Sequence, residues 1–194
     1  IKAYERDGTS FDNKPEKNML LDQLITTNIH GKVIVDMGGG LGSNYINYSN
    51  FFKDNNCIYY VVEQENFIEK GNEIAKKYNL NLNFRKELSE IDENINIVIC
   101  SSFLQYIENW KELVSEIIDK KPENIIVDRH PLTNKESEIL VQLNTGYYKK
   151  KVTYPLHIVN EEEFTKEFKP YVMIKRWDSD FDPPYFKGFH FKSG

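Results

Sequence analysis

Residues 33–48 read VIVDMGGGLGSNYINY, and no other stretch limits the possible folds so sharply. An apolar run ends in an acid, and four of the five residues 38–42 are glycine. Glycine loses more backbone freedom on folding than any other residue. Such a cluster belongs where the chain must turn tightly, or where something must come close to bare backbone. A short continuous apolar run reads as a parallel strand buried on both faces. After the glycines, Tyr45, Ile46, Tyr48, Ser49 and Phe52 suit the inner face of a helix. Strand, glycine turn and helix make a βα unit. Its turn lies at the carboxyl end of a sheet, where doubly wound folds bind ligands.

The alternation repeats along the chain. Strands are expected at 57–63 (CIYYVVE), 80–86 (LNLNFRK), 95–102 (INIVICSS) and 124–130 (NIIVDRH). Helical stripes fall at Met19, Leu20, Leu21, Leu24, Ile25 and Ile29, stopped by Gly31. Others fall at Phe67, Ile68, Ile74, Ala75 and Tyr78, and at Trp110, Leu113, Val114, Ile117 and Ile118. Asn160 and Glu163 have capping-box spacing. Only SDFDPP separates YVMIKRWD from YFKGFHFK, so these two read as an antiparallel hairpin. The expected fold is α/β and Rossmann-like: a mostly parallel seven-stranded sheet, helices on both faces, and a C-terminal antiparallel hairpin. The whole chain, 1–194, reads as one domain, with residues 1–16 as a polar lead-in arm. It starts at Ile1 rather than Met, so upstream residues are expected to be missing.

A net charge of −5 without a basic stripe argues against a nucleic-acid partner. The basic stretch YYKKKVTY at 147–154 reads as a solvated turn. Two cysteines, Cys57 and Cys100, make no disulfide framework, and a reducing, cytoplasmic setting is expected. No signal peptide and no membrane-spanning run is evident. His30 and His190 read as structural.

Three ligand classes use a glycine turn of this kind. A phosphate-binding P-loop needs Gly-Lys-Ser/Thr, which is absent. A dinucleotide fingerprint fits Gly38 and Gly40 but meets Ser43 at its third glycine. The spacing Asp36-x-Gly38-x-Gly40-x-Gly42 instead resembles motif I of class I S-adenosylmethionine-dependent methyltransferases. About twenty residues on, the second strand ends in VVEQ. Glu63 there has the two oxygens that match a ribose diol.

The resemblance extends further. VDMGGGLGSNY, YYVVEQ, VICSSFLQYI, IIVDRHPL and TYPLHI, in this order, resemble a bacterial family of methyltransferases associated with surface-polysaccharide gene clusters. The likeness spans about residues 6–159. It implies a class I methyltransferase fold, S-adenosylmethionine as methyl donor and S-adenosylhomocysteine as product. It also implies an O-methyl acceptor that is a sugar, a sugar nucleotide or a phosphate-type group in capsule or surface-polysaccharide assembly. Asp36, Gly38, Gly39, Gly40, Gly42 and Ser43 would line the cofactor, with Glu63 on its ribose. Gln64 and Glu87 would lie by the adenine, and Ser101 and Ser102 by the reacting centre. Tyr106, Arg129 and His130 are the candidate catalytic groups, Arg129 as an anion clamp and His130 as general base. Gln105, Asp128, Tyr154 and His157 are candidate acceptor contacts. His130 and His157 depart from the residues usual at those positions. No metal is expected, since Asp128 and His130 have no further acid–His cluster to join.

Two other classes stay open. One is an NAD-dependent oxidoreductase or epimerase, for which Tyr147 and Lys151 have the right spacing. The other is a binding module that keeps the cofactor pocket without the chemistry.

Overall fold

The computed structural model describes residues 19–144, 151–179 and 185–194; the lead-in arm and Tyr147 lie outside them. Five parallel strands stand in the order β3-β2-β1-β4-β5: β1 Val33–Met37, β2 Ile58–Val62, β3 Leu82–Arg85, β4 Ile97–Ser101 and β5 Asn124–Thr133. Strand β9 (Phe186–Lys192) runs antiparallel against β5, and β8 (Val172–Asp178) antiparallel against β9. The expected mostly parallel sheet with its terminal antiparallel hairpin is therefore present, but among the described residues it has nine strands instead of seven, because two further strands join beyond β5.

Alternation along the central strands sorts the core into two layers. Val33, Val35, Tyr60, Val62, Val98, Cys100, Ile125 and Val127 share one cluster, with Trp110, Val114 and Ile117 of the helix Trp110–Asp119. Ile34, Tyr59, Val61, Ile97, Ile99 and Ile126 share the other, with Leu20 and Leu24 of the helix Met19–Thr26. Buried on both faces, these strands have no polar side, which is why they read as unbroken apolar runs. Cys57 and Cys100 are both buried and free.

One local expectation is corrected. The helix after the glycines is two short pieces, Ser43–Asn47 and Ser49–Asp54, broken at Tyr48. The break lets Tyr45 and Phe52 stack in parallel, with both rings against Tyr59. Within SSFLQY, Leu104–Tyr106 is a single 3-10 turn, and the next helix begins at Trp110. TYPLHI lies on a strand. Glu138–Asn144 (β6) and Val152–Asn160 (β7) form an antiparallel ribbon, joined to β5 only at Leu132↔Val159 and Thr133↔Asn160. Asn160 then caps the helix Glu161–Lys166, accepting from the Glu162 and Glu163 N–H groups. Its own N–H goes to Ser137 Oγ, and Ser137 in turn donates to Glu163. The capping box thus closes through a serine.

Candidate functional site

Strand β1 delivers Asp36, buried, to the start of the glycine turn. The Gly38 N–H is bonded to Val62 O (2.9 Å), which ties the turn to the end of β2. Gly38, Gly40 and Gly42 have φ of 67°, 60° and 83°, a region that side chains disfavour. Part of the bare backbone is used internally. A Cβ on Gly38 would lie 2.1 Å from the Phe103 ring, and one on Gly39 would lie 2.7 Å from the Asp36 carboxyl.

Asp36 Oδ2 accepts from Asn44 Nδ2 and Tyr59 Oη, each at 3.0 Å. Its Oδ1 is buried with no partner. Burial pushes this carboxyl up to about 6 against the two hydrogen bonds; the Arg129 cation also pulls it down, and the Glu63 anion adds to the rise. Asp36 therefore senses both Glu63 and Arg129 across the carboxyl ends of β1, β2 and β5. Glu63 is half-buried and accepts from the Gln64 N–H at 2.7 Å, while Gln64 is exposed and caps the helix Glu65–Lys77. Glu87, also exposed, precedes the 3-10 turn Leu88–Glu90 and accepts from Ser89 Oγ. Ser43 is the first residue of the helix after the turn.

The ends of β4 and β5 form the other wall. The pairing of β5 with β9 shifts register between Val127 and His130, and Arg129 has φ 52°. Such a bulge re-aims a side chain. Arg129 is exposed at the mouth, with Nη2 on Ser101 Oγ (3.1 Å) and Nε 3.7 Å from Asp128. Ser102, also at φ 52°, gives its N–H to Asp128 O. Gln105 is fully buried and donates to Ser102 Oγ (3.1 Å) and Arg129 O (3.2 Å). Asp128 is buried and accepts from Trp177 Nε1 at 3.0 Å. Tyr106 sits edge-on to Tyr154 and donates to Gln142 Oε1, fastening the ribbon to this wall.

His130 departs from the place expected of a general base. It is 1% exposed, with its ring stacked on Phe164 (centroids 4.3 Å apart) and both ring nitrogens unpartnered. Burial, with His157 nearby, pushes its imidazole down to about 3, so the ring is neutral. His157 is half-buried on β7. His190 is structural as expected, with one ring nitrogen 2.9 Å from Asn124 Oδ1 and the other 3.3 Å from Gln23 Oε1.

Sequence reasoning missed Asn44, Tyr59, Phe103 and Trp177. Only Trp177 carries a local signal: a buried indole needs an acceptor, and Asp128 stands two strands away. Among the described residues, the buried side-chain atoms without partners are Asp36 Oδ1, Gln105 Oε1 and the two His130 nitrogens. All belong to the carboxyl ends of β1, β4 and β5. Each such atom costs about 1–3 kcal/mol unless something meets it, and the His130 pair is enclosed against Phe164 while Asp36 Oδ1 stands beside the glycine turn. No group of three or more metal-ligating side chains converges among the described residues, and no helix among them is long and apolar enough to cross a membrane.

No protein-family profile and no curated protein matches the sequence. Solved structures do match the fold. An S-adenosylmethionine-dependent methyltransferase from Clostridium acetobutylicum superposes with a TM-score of 0.67 at 12% identity, covering 90% of this chain and 89% of that one. The glycopeptide N-methyltransferase MtfA, complexed with S-adenosylmethionine, gives 0.65 at 8% identity over 91% and 93%. The N-terminal domain of EvdMO1, crystallised in the presence of S-adenosylhomocysteine and D-fucose, gives 0.60 at 9% over 98% and 96%. At these identities the likeness is one of architecture, and this chain has the fold of S-adenosylmethionine-dependent methyltransferases.

Proposed function

We propose that this chain is an S-adenosylmethionine-dependent methyltransferase acting on an oxygen of a small polar acceptor. The observation that carries the reading is the unpartnered buried oxygen of Asp36 at a glycine turn, at the ligand end of this fold. The group fits: it brings a sulfonium and an ammonium, and a buried carboxylate with one unpartnered oxygen suits a cation. Asp36, the 38–42 turn and Ser43 would hold its methionyl side. Glu63 would take the ribose diol, with Gln64 and Glu87 toward the adenine and Ser101 and Ser102 toward the reacting end. When bound, the cofactor supplies a methyl already activated for in-line displacement. The chain is left to align the acceptor and exclude water.

Arg129 is 44% exposed where His130 is 1% exposed. That contrast favours an acceptor whose oxygen is already anionic, held by Arg129 and Tyr106 and needing no base. A neutral hydroxyl would need His130 to leave Phe164 first. Gln105 and Asp128 position Arg129, while Tyr154 and His157 on the ribbon complete the acceptor side. Placement in surface-polysaccharide assembly rests on the motif resemblance alone. The NAD reading draws on Tyr147, outside the described residues, and meets Ser43 instead of a third glycine.

Thermal shift with S-adenosylhomocysteine and with NAD(H), on the parent and on Glu63→Ala, tests the reading. A ligand at 100 times its Kd adds about 2.7 kcal/mol, which is roughly 5–10 °C for a chain of this length. That shift is expected with S-adenosylhomocysteine and should be lost in Glu63→Ala. A shift with NAD(H) alone overturns the proposal.

A further inference from the structure

Among the described residues, strand β6 is the free edge of the ribbon: its one neighbour in the sheet there is β7. Ile139, Val141 and Leu143 point to one face of it and are 65%, 75% and 52% exposed. Leu140 and Gln142 lie on the opposite face, which Tyr106 holds to the site wall. An apolar strand with an open hydrogen-bonding edge is a template for another strand.

From the geometry we infer that β6 pairs with β6 of a second copy of this chain, antiparallel, about a two-fold axis at Val141. The segment EILVQLN is self-complementary in that register. Val141 meets Val141, Ile139 meets Leu143, Leu140 meets Gln142, and Glu138 meets Asn144. No like charges face each other, and one apolar row runs unbroken across both copies. Cross-strand apolar pairs and new main-chain hydrogen bonds both favour the union, and a two-fold contact closes on itself instead of growing into a fibre.

Another edge among the described residues shows what protection looks like. Strand β8 also exposes apolar residues, Val172, Met173 and Ile174. It continues into Lys175 and Arg176, and its pairing with β9 is irregular between Met173 and Lys175. The same two-fold pairing would set Lys175 against Lys175. Charge and irregularity are how proteins blunt an edge, and β6 has neither between Glu138 and Asn144.

Cysteine cross-linking of the full chain tests the register. Two residues directly opposite in an antiparallel pair lie within disulfide reach, about 7 Å between Cα atoms. Residues four positions out of register lie about 14 Å apart. Val141→Cys should oxidise to a covalent dimer. Ile139→Cys alone should not, but should cross-link when mixed with Leu143→Cys. The native cysteines are buried and do not compete. In light scattering the parent should show twice the chain mass at high concentration, and Val141→Lys, with the parent's circular-dichroism spectrum, should show the monomer mass. A parent that stays monomeric at every concentration overturns the inference, as does a dimer indifferent to Val141→Lys. Cross-linking of Ile139→Cys with itself would overturn the register.

Discussion

Asp36 carries an uncompensated cost. Its carboxyl is fully enclosed, one oxygen has no partner, and its pKa stands near 6 against 3.8 for a free side chain. A group whose folded pKa is raised contributes stability below its unfolded pKa and loses it as pH rises through the folded value. For Asp36 the loss falls between about pH 4 and pH 6 and amounts to about 3 kcal/mol above that window, at about 1.4 kcal/mol per unit. Without ligand, Asp36→Asn should therefore melt above the parent at pH 8, by roughly 6–12 °C, and level with it at pH 4. Melting temperatures from pH 4 to 8 check this, and a gap that does not change with pH would sink it. That Asp36 is an acid after a strand was plain from the sequence. That its oxygen lacks a partner depended on Asn44 and Tyr59 taking the other one, from a helix and a neighbouring strand.

At the scale of elements, one indole ties the wall at β4 and β5 to the terminal hairpin. Trp177 on β8 reaches past β9 to Asp128, which in turn meets Ser101 (3.5 Å) and Arg129. Its ring lies on Gly188, where a Cβ would come within 2.0 Å. Glycine inside FKGFHFK thus marks a close approach across strands. Trp177→Phe removes the Nε1 donor to the buried Asp128 carboxylate together with part of the ring surface that packs on Gly188. Urea unfolding should show a loss of about 1–3 kcal/mol; a loss below about 0.5 kcal/mol would mean that the bond holds nothing. The parallel strands, the main helices and the terminal hairpin were legible because their burial is regular. The ribbon was not. Ile139, Leu140 and Val141 run consecutively on a strand with neither face fully buried, so no period of two appears.

For the whole molecule, two histidines set the acid limit. His130 and His190 are pushed down to about 3 and about 4, first of all by burial. An imidazole held neutral contributes stability that is complete above its unfolded pKa of about 6.5 and is lost as pH falls toward the folded value. His130 alone should remove about 2 kcal/mol between pH 6.5 and pH 5. His130→Phe should flatten that part of the stability curve, measured by denaturant unfolding across pH; an unchanged slope would show that the ring is not held neutral. By itself the sequence determined the order of elements, the glycine turn and the acids at the strand ends, because local burial pattern and turn chemistry need only neighbours in the chain. Only the tertiary structure decided which side chains are exposed. His130 and Arg129 are adjacent in sequence, yet a bulge in β5 turns one to solvent while the other is sealed against Phe164, a residue 34 positions away that only packing brings near.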